Sequence, residues 1–261
     1  MKQIPYMSLI SPDGVFVGGV GTIHSPFIRD IFKIGYDSYK YCIGLLLMQP
    51  SDYFKMKTLE AGIEQNPYDL LSDDDKKKFT SFSVLTGNKN DRVELMLALS
   101  LFISGSISWN EEYHAFLINK TEQEGKISVD GVVSKDTFST VCEICLAMIG
   151  VKPKERVEGL KFKNENARKF YERFQAKKEK ADAQKPSDPD FELPNMISVI
   201  CAYHSSLNYS NIASLTIYQV QDTFSRMIRK KQMDIRDMNY SVWGGKDYDP
   251  KKWIERMDKE E

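Results

Sequence analysis

The run of apolar residues from Leu95 to Ile103 constrains the fold of this chain more than any other feature. Only Ser100 interrupts it, so a helix formed here is apolar on every face. Such a helix belongs inside a protein core. This run and a second one, Cys42–Met48, are both far shorter than the roughly 20 residues that cross a bilayer. We therefore predict buried core helices at both runs and no membrane span.

The composition excludes several classes of protein. A length of 261 residues is enough for one large domain or two modest ones. The 36 Lys and Arg and 37 Asp and Glu give a net charge of −1, which argues against a chain held mainly to nucleic-acid phosphates or an anionic membrane. Hydrophobic residues at 41% exclude a disordered chain. Four cysteines and the absence of an apolar signal region before Pro12 predict a reducing compartment.

Caps, prolines and glycines predict where the helices begin and end. Ser25-Pro26 is expected to open a helix that closes at Gly35, and Asn90-Asp91 and Asp136 are expected to cap two others. Thr216-x-x-Gln219 resembles a capping box at the start of a helix ending near Lys231. The other predicted helices cover residues 37–48, 51–62, 69–85, 152–185 and 194–203, with a short last one that carries Trp253.

We predict a mainly α, multi-helix globular protein with one or two small β-hairpins. Glycines among β-branched residues indicate a hairpin within residues 1–24, and a second antiparallel insert is expected at about 106–134. Two prolines and polar neighbours at Lys185–Asp190 cannot continue a helix. The predicted division is therefore an N-terminal helical domain over 1–184, a linker over 185–193 and a C-terminal helical region over 194–261.

Two pairs of residues in the sequence have the spacing of zinc ligands. Cys142-x-x-Cys145 and Cys201-x-x-His204 together offer a complete tetrahedral set of ligands. Both pairs lie in apolar helical segments, where a cysteine commonly acts as a small hydrophobic residue. Core packing is the favoured interpretation, and zinc binding by these four residues stays open.

The sequence contains no recognisable catalytic motif. The three histidines, His24, His114 and His204, have no partner at a fixed spacing. The glycines of residues 14–21 form neither a dinucleotide-binding nor a phosphate-binding loop motif. We predict no catalytic residue, no metal site and no cofactor, and expect a protein that is not an enzyme.

One segment of the chain is basic enough to make nucleic acid an alternative binding partner. Residues 151–184 hold 11 Lys and Arg against 6 Asp and Glu, with Phe170, Tyr171 and Phe174 among them. Aromatic side chains beside basic ones can stack on bases. Their helical spacing is more typical of a packing stripe, so a nucleic-acid or host-factor binding protein using the 152–185 helix is the second hypothesis.

Three C-terminal segments resemble a family of tailed-phage proteins: Leu193–Ser198, Asn208–Phe224 (NYSNIASLTIYQVQDTF), and Tyr240–Gly245 (YSVWGG) followed by Trp253. Residues 127–145 and the opening LISPDGVFVGGVGTI are also similar to proteins of this kind. The resemblance implies a non-enzymatic tail assembly chaperone or tail-associated structural protein. The partners it implies are tape-measure, tail-tube or baseplate proteins, in the host cytoplasm or on the virion.

Large amphipathic side chains in this region fit such a role. We predict that five residues contribute to protein–protein contacts: Tyr218, Phe224, Met227, Trp243 and Trp253. Aromatic residues are common at the centre of interfaces, and methionine adapts to irregular apolar surfaces. The sequence does not predict the oligomeric state or the identity of the partner.

Overall fold

The structure, a computed structural model of the chain, describes residues 4–63, 65–121, 127–151, 188–244 and 248–255. Within these ranges it has ten α-helices and two small antiparallel sheets, which confirms the mainly α fold. The elements are α1 Tyr6–Ile10, β1 Val15–Val17, β2 Gly21–Ile23, α2 Ile28–Ile34, α3 Tyr36–Leu47, α4 Pro50–Glu60, α5 Asp73–Lys76, α6 Ser81–Leu85, α7 Lys89–Ser100, β3 Ser106–Asn110, β4 Ala115–Thr121, β5 Ile127–Val133, α8 Lys135–Ala147, α9 Leu193–Tyr203 and α10 Ile217–Trp243.

Helix α7 lies at the centre of the core, as the apolar run predicts. Leu95 and Leu99 are fully buried, and the helix packs against α3, whose Cys42 and Leu45 are buried too. Phe102 and Ile103, just beyond the helix, continue the same core. Both apolar runs therefore contribute to the core, although Leu97 and Leu47 are 45% and 38% exposed. None of the helices in the described ranges combines the length and apolar character that crossing a bilayer requires.

The two sheets are the predicted hairpin and the predicted insert. Strands β1 and β2 pair antiparallel, and β3, β4 and β5 form an antiparallel meander in that order. The hairpin lies on the meander: the Val132 N–H donates to the Gly19 carbonyl at 2.8 Å. A Cβ at Gly131 would lie 2.3 Å from the Val20 carbonyl oxygen, so glycine permits this close approach.

Three predicted helix starts are wrong. Helix α2 has Phe27, not Ser25, at its N-cap, because the Ser25 hydroxyl binds another helix, as described below. Helix α7 is capped by Asn88, whose side chain accepts the Asp91 N–H at 2.9 Å. Helix α8 follows Ser134, which leaves Asp136 inside its first turn.

The continuous helix predicted over 69–85 is also wrong. The chain instead forms a 3₁₀ turn at Pro67–Leu70, then α5, then α6. Thr80 starts α6, since its Oγ1 accepts the Ser83 N–H at 3.1 Å while Ser83 Oγ accepts the Thr80 N–H at 2.9 Å. This reciprocal cap competes successfully with continuation of the preceding helix.

Helix α10 is longer than predicted. It does not end near Lys231 but runs 27 residues to Trp243, about 40 Å, and stops at Gly244, which has a φ of 69°. Helix α9 and the 3₁₀ turn Lys252–Ile254 that carries Trp253 occur where the sequence predicts a helix.

One buried cluster joins the N-terminal and C-terminal parts of the described chain. It extends from Val20 through α7 and α8 to Ile200 on α9 and Phe224 on α10. The predicted helix over 152–185 and the residues 185–187 of the predicted linker lie outside the described ranges. The division into domains stays a prediction.

Candidate protein-binding surface

The start of helix α10 is fixed to the body of the protein. Thr216 Oγ1 accepts the Gln219 N–H at 3.2 Å and the Gln219 side chain accepts the Thr216 N–H at 2.9 Å, which confirms the predicted capping box. Ser25 Oγ accepts the N–H of Tyr218 at 3.2 Å. Ser25 and Thr216 are both fully buried, so these hydrogen bonds fix the first turn of the helix inside the protein.

A second set of contacts holds the next two turns. Asp222 accepts hydrogen bonds from the Tyr6 hydroxyl at 2.8 Å and from Arg226 at 3.1 Å, and Arg226 also donates to Tyr6 at 3.0 Å. Burial is the main cause that raises the pKa of Tyr6 above its ordinary value. Helix α1 is thereby tied to α10.

The first half of α10 buries an apolar stripe. Ile217, Val220 and Phe224 recur at helical spacing and are 1%, 0% and 6% exposed. Phe224 meets the ring of Phe191 edge to face at 6.1 Å. Ile228, one turn further on, is partly buried against the same core.

The same stripe continues into the second half of the helix without a covering element. Ile235, Met238 and Val242 follow Phe224 and Ile228 at intervals of three, four and seven residues, which keeps them on one face. Their exposed fractions are 54%, 67% and 64%. We call these three residues the exposed stripe. Trp243, 85% exposed, follows it at the end of the helix.

Residues 248–255, which we call the bracing segment, cover the opposite face of this half. The rings of Tyr240 and Tyr248 stack with centroids 4.1 Å apart, and the Tyr248 hydroxyl donates to Asp237 at 2.7 Å. Arg229 donates to the Glu255 carbonyl at 2.9 Å, and Met233 is buried. The segment therefore braces the helix and leaves the exposed stripe accessible.

One charged residue of this half lies on the line of the stripe, and an ion pair lies beside it. Lys230 pairs with Asp234 at 2.8 Å, with both side chains well exposed, so the pair contributes little to stability. Lys231 occupies the stripe's line between Ile228 and Ile235. A partner that covers the stripe must therefore accommodate one cation.

The five residues predicted for protein contacts fall into two groups. Phe224 belongs to the core, and Tyr218 and Met227 are partly buried. Trp243 and Trp253 are exposed, at 85% and 53%. Their role in binding stays a prediction.

The sequence prediction missed the three residues of the exposed stripe. Lys231 interrupts the apolar pattern, and the predicted helix ended there. The signal that could have extended it is the absence of Pro and Gly from 232 to 243 together with the continued spacing of Ile235, Met238 and Val242.

A separate cleft of about 620 Å³ contains His114. It lies between α6, the first turn of α7, the β3–β4 turn and the start of α8. Arg92 and Glu111 form an ion pair at 2.7 Å beside the ring of Trp109. The other histidines are elsewhere: His24 contacts the Ser25 carbonyl, and His204 accepts N–H groups of the turn that follows α9.

The proposed zinc ligands do not form a metal cluster. Cys142 and Cys145 are buried on α8, and Cys201 is partly buried on α9. Within the described ranges, no three His, Cys, Asp or Glu side chains converge on a point where an ion could bind. Burial raises the pKa of the Cys145 thiol well above its ordinary value, as expected for a cysteine packed in the core.

A phage protein family matches the part of the chain that holds this surface. The family described as YomV second domain covers residues 177–258, which include α9, α10 and the bracing segment. The match supports a phage-associated protein and is not specific to tail or baseplate assembly. No curated protein and no solved structure matches the chain. The basic segment of the nucleic-acid hypothesis lies outside the described residues.

Proposed function

We propose that this chain is a non-enzymatic phage assembly protein that binds another protein through the second half of α10. The exposed stripe is the observation that carries the proposal. The partner class is the one that the resemblance implies: a tail protein such as a tape-measure, tail-tube or baseplate component.

The contrast between the two halves of α10 supports this role. Hydrogen bonds of Ser25 and Thr216 fix the start of the helix in the core. Its apolar face is buried as far as Ile228 and exposed beyond it. An apolar helical face that is held rigid and left exposed is suited to helix packing or to an apolar groove of a partner. Little ordering entropy is lost on binding, because the bracing segment already fixes the helix.

An aromatic residue extends the surface at one end. Trp243 lies at the end of the stripe, whereas Trp253 and Ile254 belong to the segment on the opposite face of the helix. Tryptophan contributes a large contact area and retains a polar N–H for a hydrogen bond at the rim. Binding of this kind needs no catalytic group.

A retention experiment tests the proposal. The tagged chain is co-expressed with the tape-measure, tail-tube and baseplate proteins of its phage and recovered on an affinity resin. The variant carries Ile235→Gln and Met238→Gln, since glutamine removes the apolar contact and still favours a helix. Leu59→Gln is the matched control, because Leu59 is also an exposed aliphatic residue at 70% but lies on α4.

We expect the wild-type chain and the Leu59 variant to retain one of the tail proteins, and the double variant to lose it. Retention by all three chains would place the binding surface elsewhere and contradict the proposal. Failure of the wild-type chain to retain any tail protein would remove the tail-assembly role.

A further inference from the structure

The cleft beside the β3–β4 turn has an aromatic floor and a charged rim. Phe82 and Trp109 lie in its wall with ring centroids 6.3 Å apart. Arg92, Glu111, His114 and Lys135 supply polar groups around them. The cleft volume of about 620 Å³ is in the range of small-molecule sites.

One buried polar atom in the wall of this cleft makes no hydrogen bond. Within the described part of the chain, Nε1 of Trp109 is the buried side-chain nitrogen or oxygen that makes no hydrogen bond. The Glu111 carboxylate is near enough for the indole N–H to lower the pKa of Glu111, but the pair does not reach hydrogen-bond geometry. A buried donor in this condition calls for an acceptor.

A strong cationic donor lies beside the indole. The Arg92 guanidinium carbon is 5.0 Å from the centroid of the Trp109 ring, and its side chain is only 17% exposed. Its ion-pair partner is Glu111, whose side chain is 71% exposed. The largely buried side chain of Arg92 is thus neutralised by a carboxylate that reaches it from an exposed turn.

The turn that carries Glu111 is strained. His114 has a φ of 45°, the one positive φ among non-glycine residues of the described chain, and its ring meets Trp109 edge to face at 6.3 Å. The Tyr113 N–H donates to the Asn110 side chain at 2.9 Å and holds the turn in this form. Backbone strain of this type is frequent at binding sites.

We propose that this cleft binds a carboxylate carried on an apolar group, and that Glu111 occupies the position of that carboxylate within the chain. The ligand's carboxylate accepts hydrogen bonds from Arg92 and from the Trp109 indole N–H, while its apolar group lies on Phe82. A free carboxylic acid and the C-terminal carboxylate of a peptide share this chemistry.

The charges around the cleft favour a carboxylate over a more highly charged anion. Arginine presents two parallel donors that match a carboxylate. Glu111 and Asp136 also line the cleft and repel a dianion such as phosphate more strongly than a monoanion. The cleft shares no residue with the exposed stripe, so a test of ligand binding here is independent of the proposed function.

Titration followed by NMR tests the inference. The probes are N-acetyl-L-phenylalanine, its amide as the form without a carboxylate, and the peptide Gly-Gly-Gly-Phe with a free C-terminus. The readout is the indole N–H signal of Trp109, assigned by its loss in Trp109→Phe. We expect saturable movement of this signal with the two acids and none with the amide. Tighter binding of the peptide would identify a peptide C-terminus as the ligand, and equal or weaker binding a free acid.

Two variants and a control complete the test. Glu111→Gln removes the competing carboxylate and should tighten binding about tenfold, whereas Arg92→Gln should weaken it by about tenfold or more. Arg29→Gln is the matched control, because Arg29 also stacks on an aromatic ring, that of Phe27 at 4.2 Å, outside the cleft. It should bind like wild type.

Thermal unfolding curves of the variants show whether each is folded. Absence of a saturable shift in both wild type and the folded Glu111 variant would overturn the inference. Equal movement with the acid and the amide would do the same, since it would assign the effect to the phenyl ring alone.

Discussion

The Ser25 hydroxyl oxygen accepts a hydrogen bond from the backbone N–H of Tyr218 at 3.2 Å, although 193 positions separate the two residues. Two backbone bonds flank it: the Ile28 N–H donates to the Leu215 carbonyl and the Ile217 N–H to the Pro26 carbonyl, both at 2.9 Å. These contacts clamp the first turn of α10 against the segment before α2. They determine the direction in which the second half of α10 leaves the body.

Replacement of Ser25 by alanine should therefore lower the free energy of unfolding by about 1–2 kcal/mol. The variant leaves a helix-terminal N–H buried without its acceptor. Urea unfolding followed by circular dichroism measures the change. Ser241→Ala is the control, since the Ser241 hydroxyl is exposed and bonds only within its own helix. Equal stability of the two variants would show that the clamp contributes nothing.

Asp91 is the one carboxylate among the buried residues of the described part of the chain. It is 5% exposed and accepts hydrogen bonds from Tyr53 at 2.6 Å, Lys57 at 3.3 Å and Asn88 at 2.5 Å. Asp91→Asn keeps the shape but removes the charge that these donors solvate. We expect a loss of about 2 kcal/mol in unfolding free energy, discounted because Lys57 remains partly exposed.

An exposed aspartate provides the comparison for Asp91. Asp74 pairs with Lys77 at 2.8 Å, with side chains 89% and 75% exposed. Asp74→Asn should change the unfolding free energy by less than about 0.5 kcal/mol. A loss in the Asp91 variant no larger than this would contradict the assigned role of Asp91 in joining α4 to α7.

Stability should fall steeply in alkaline solution. Burial first, and then the hydrogen bond to Asp91, raises the pKa of Tyr53 to about 12, and burial also raises that of Tyr39. The unfolded chain releases these protons near pH 10. The folded protein therefore holds more protons above that pH, and the stabilisation is full below about pH 10 and lost as the pH rises through about 12.

Unfolding measured between pH 8 and pH 11.5 for wild type and Tyr53→Phe tests this behaviour. The phenylalanine variant should be less stable at pH 8, because Asp91 loses a donor, but its stability should fall less steeply above pH 10. Parallel curves for the two proteins would contradict the effect assigned to Tyr53.

The two halves of the α10 stripe should respond differently to substitution. Phe224→Ala removes a ring from the core and should cost about 3–5 kcal/mol. Ile235→Gln with Met238→Gln should change the unfolding free energy by no more than about 0.5 kcal/mol per site, because neither side chain is buried. A large loss in the second variant would show that the stripe serves folding of the monomer.

The features that the sequence predicted correctly depend on neighbours within a few positions. The burial of Leu95 and Leu99 follows from the density of apolar residues around them, and the Thr216–Gln219 capping box from spacing alone. The hairpin and the antiparallel insert follow from turn residues between β-branched segments, although the sequence did not predict that the insert has three strands. Each of these requires only local propensity and period.

The features that it missed depend on distant parts of the chain. A serine followed by proline has the pattern of a local cap, but Ser25 serves a helix that begins almost 200 residues later. The exposed stripe was missed because Lys231 breaks the apolar pattern, while the bracing by Tyr248 and Glu255 that holds this part of the helix is a tertiary contact. The cleft joins residues from four elements, and no spacing along the chain connects Arg92, Glu111 and Ser134.

Hydrogen–deuterium exchange on the chain alone, and on the chain co-purified with its tail protein, tests the binding surface most directly. Backbone amides of residues 231–243 lie in the half of α10 that carries the exposed stripe. We predict that their exchange slows in the complex, while that of α7, already buried in the core, does not change. Unchanged exchange at 231–243, with protection confined to another part of the chain, would contradict the account.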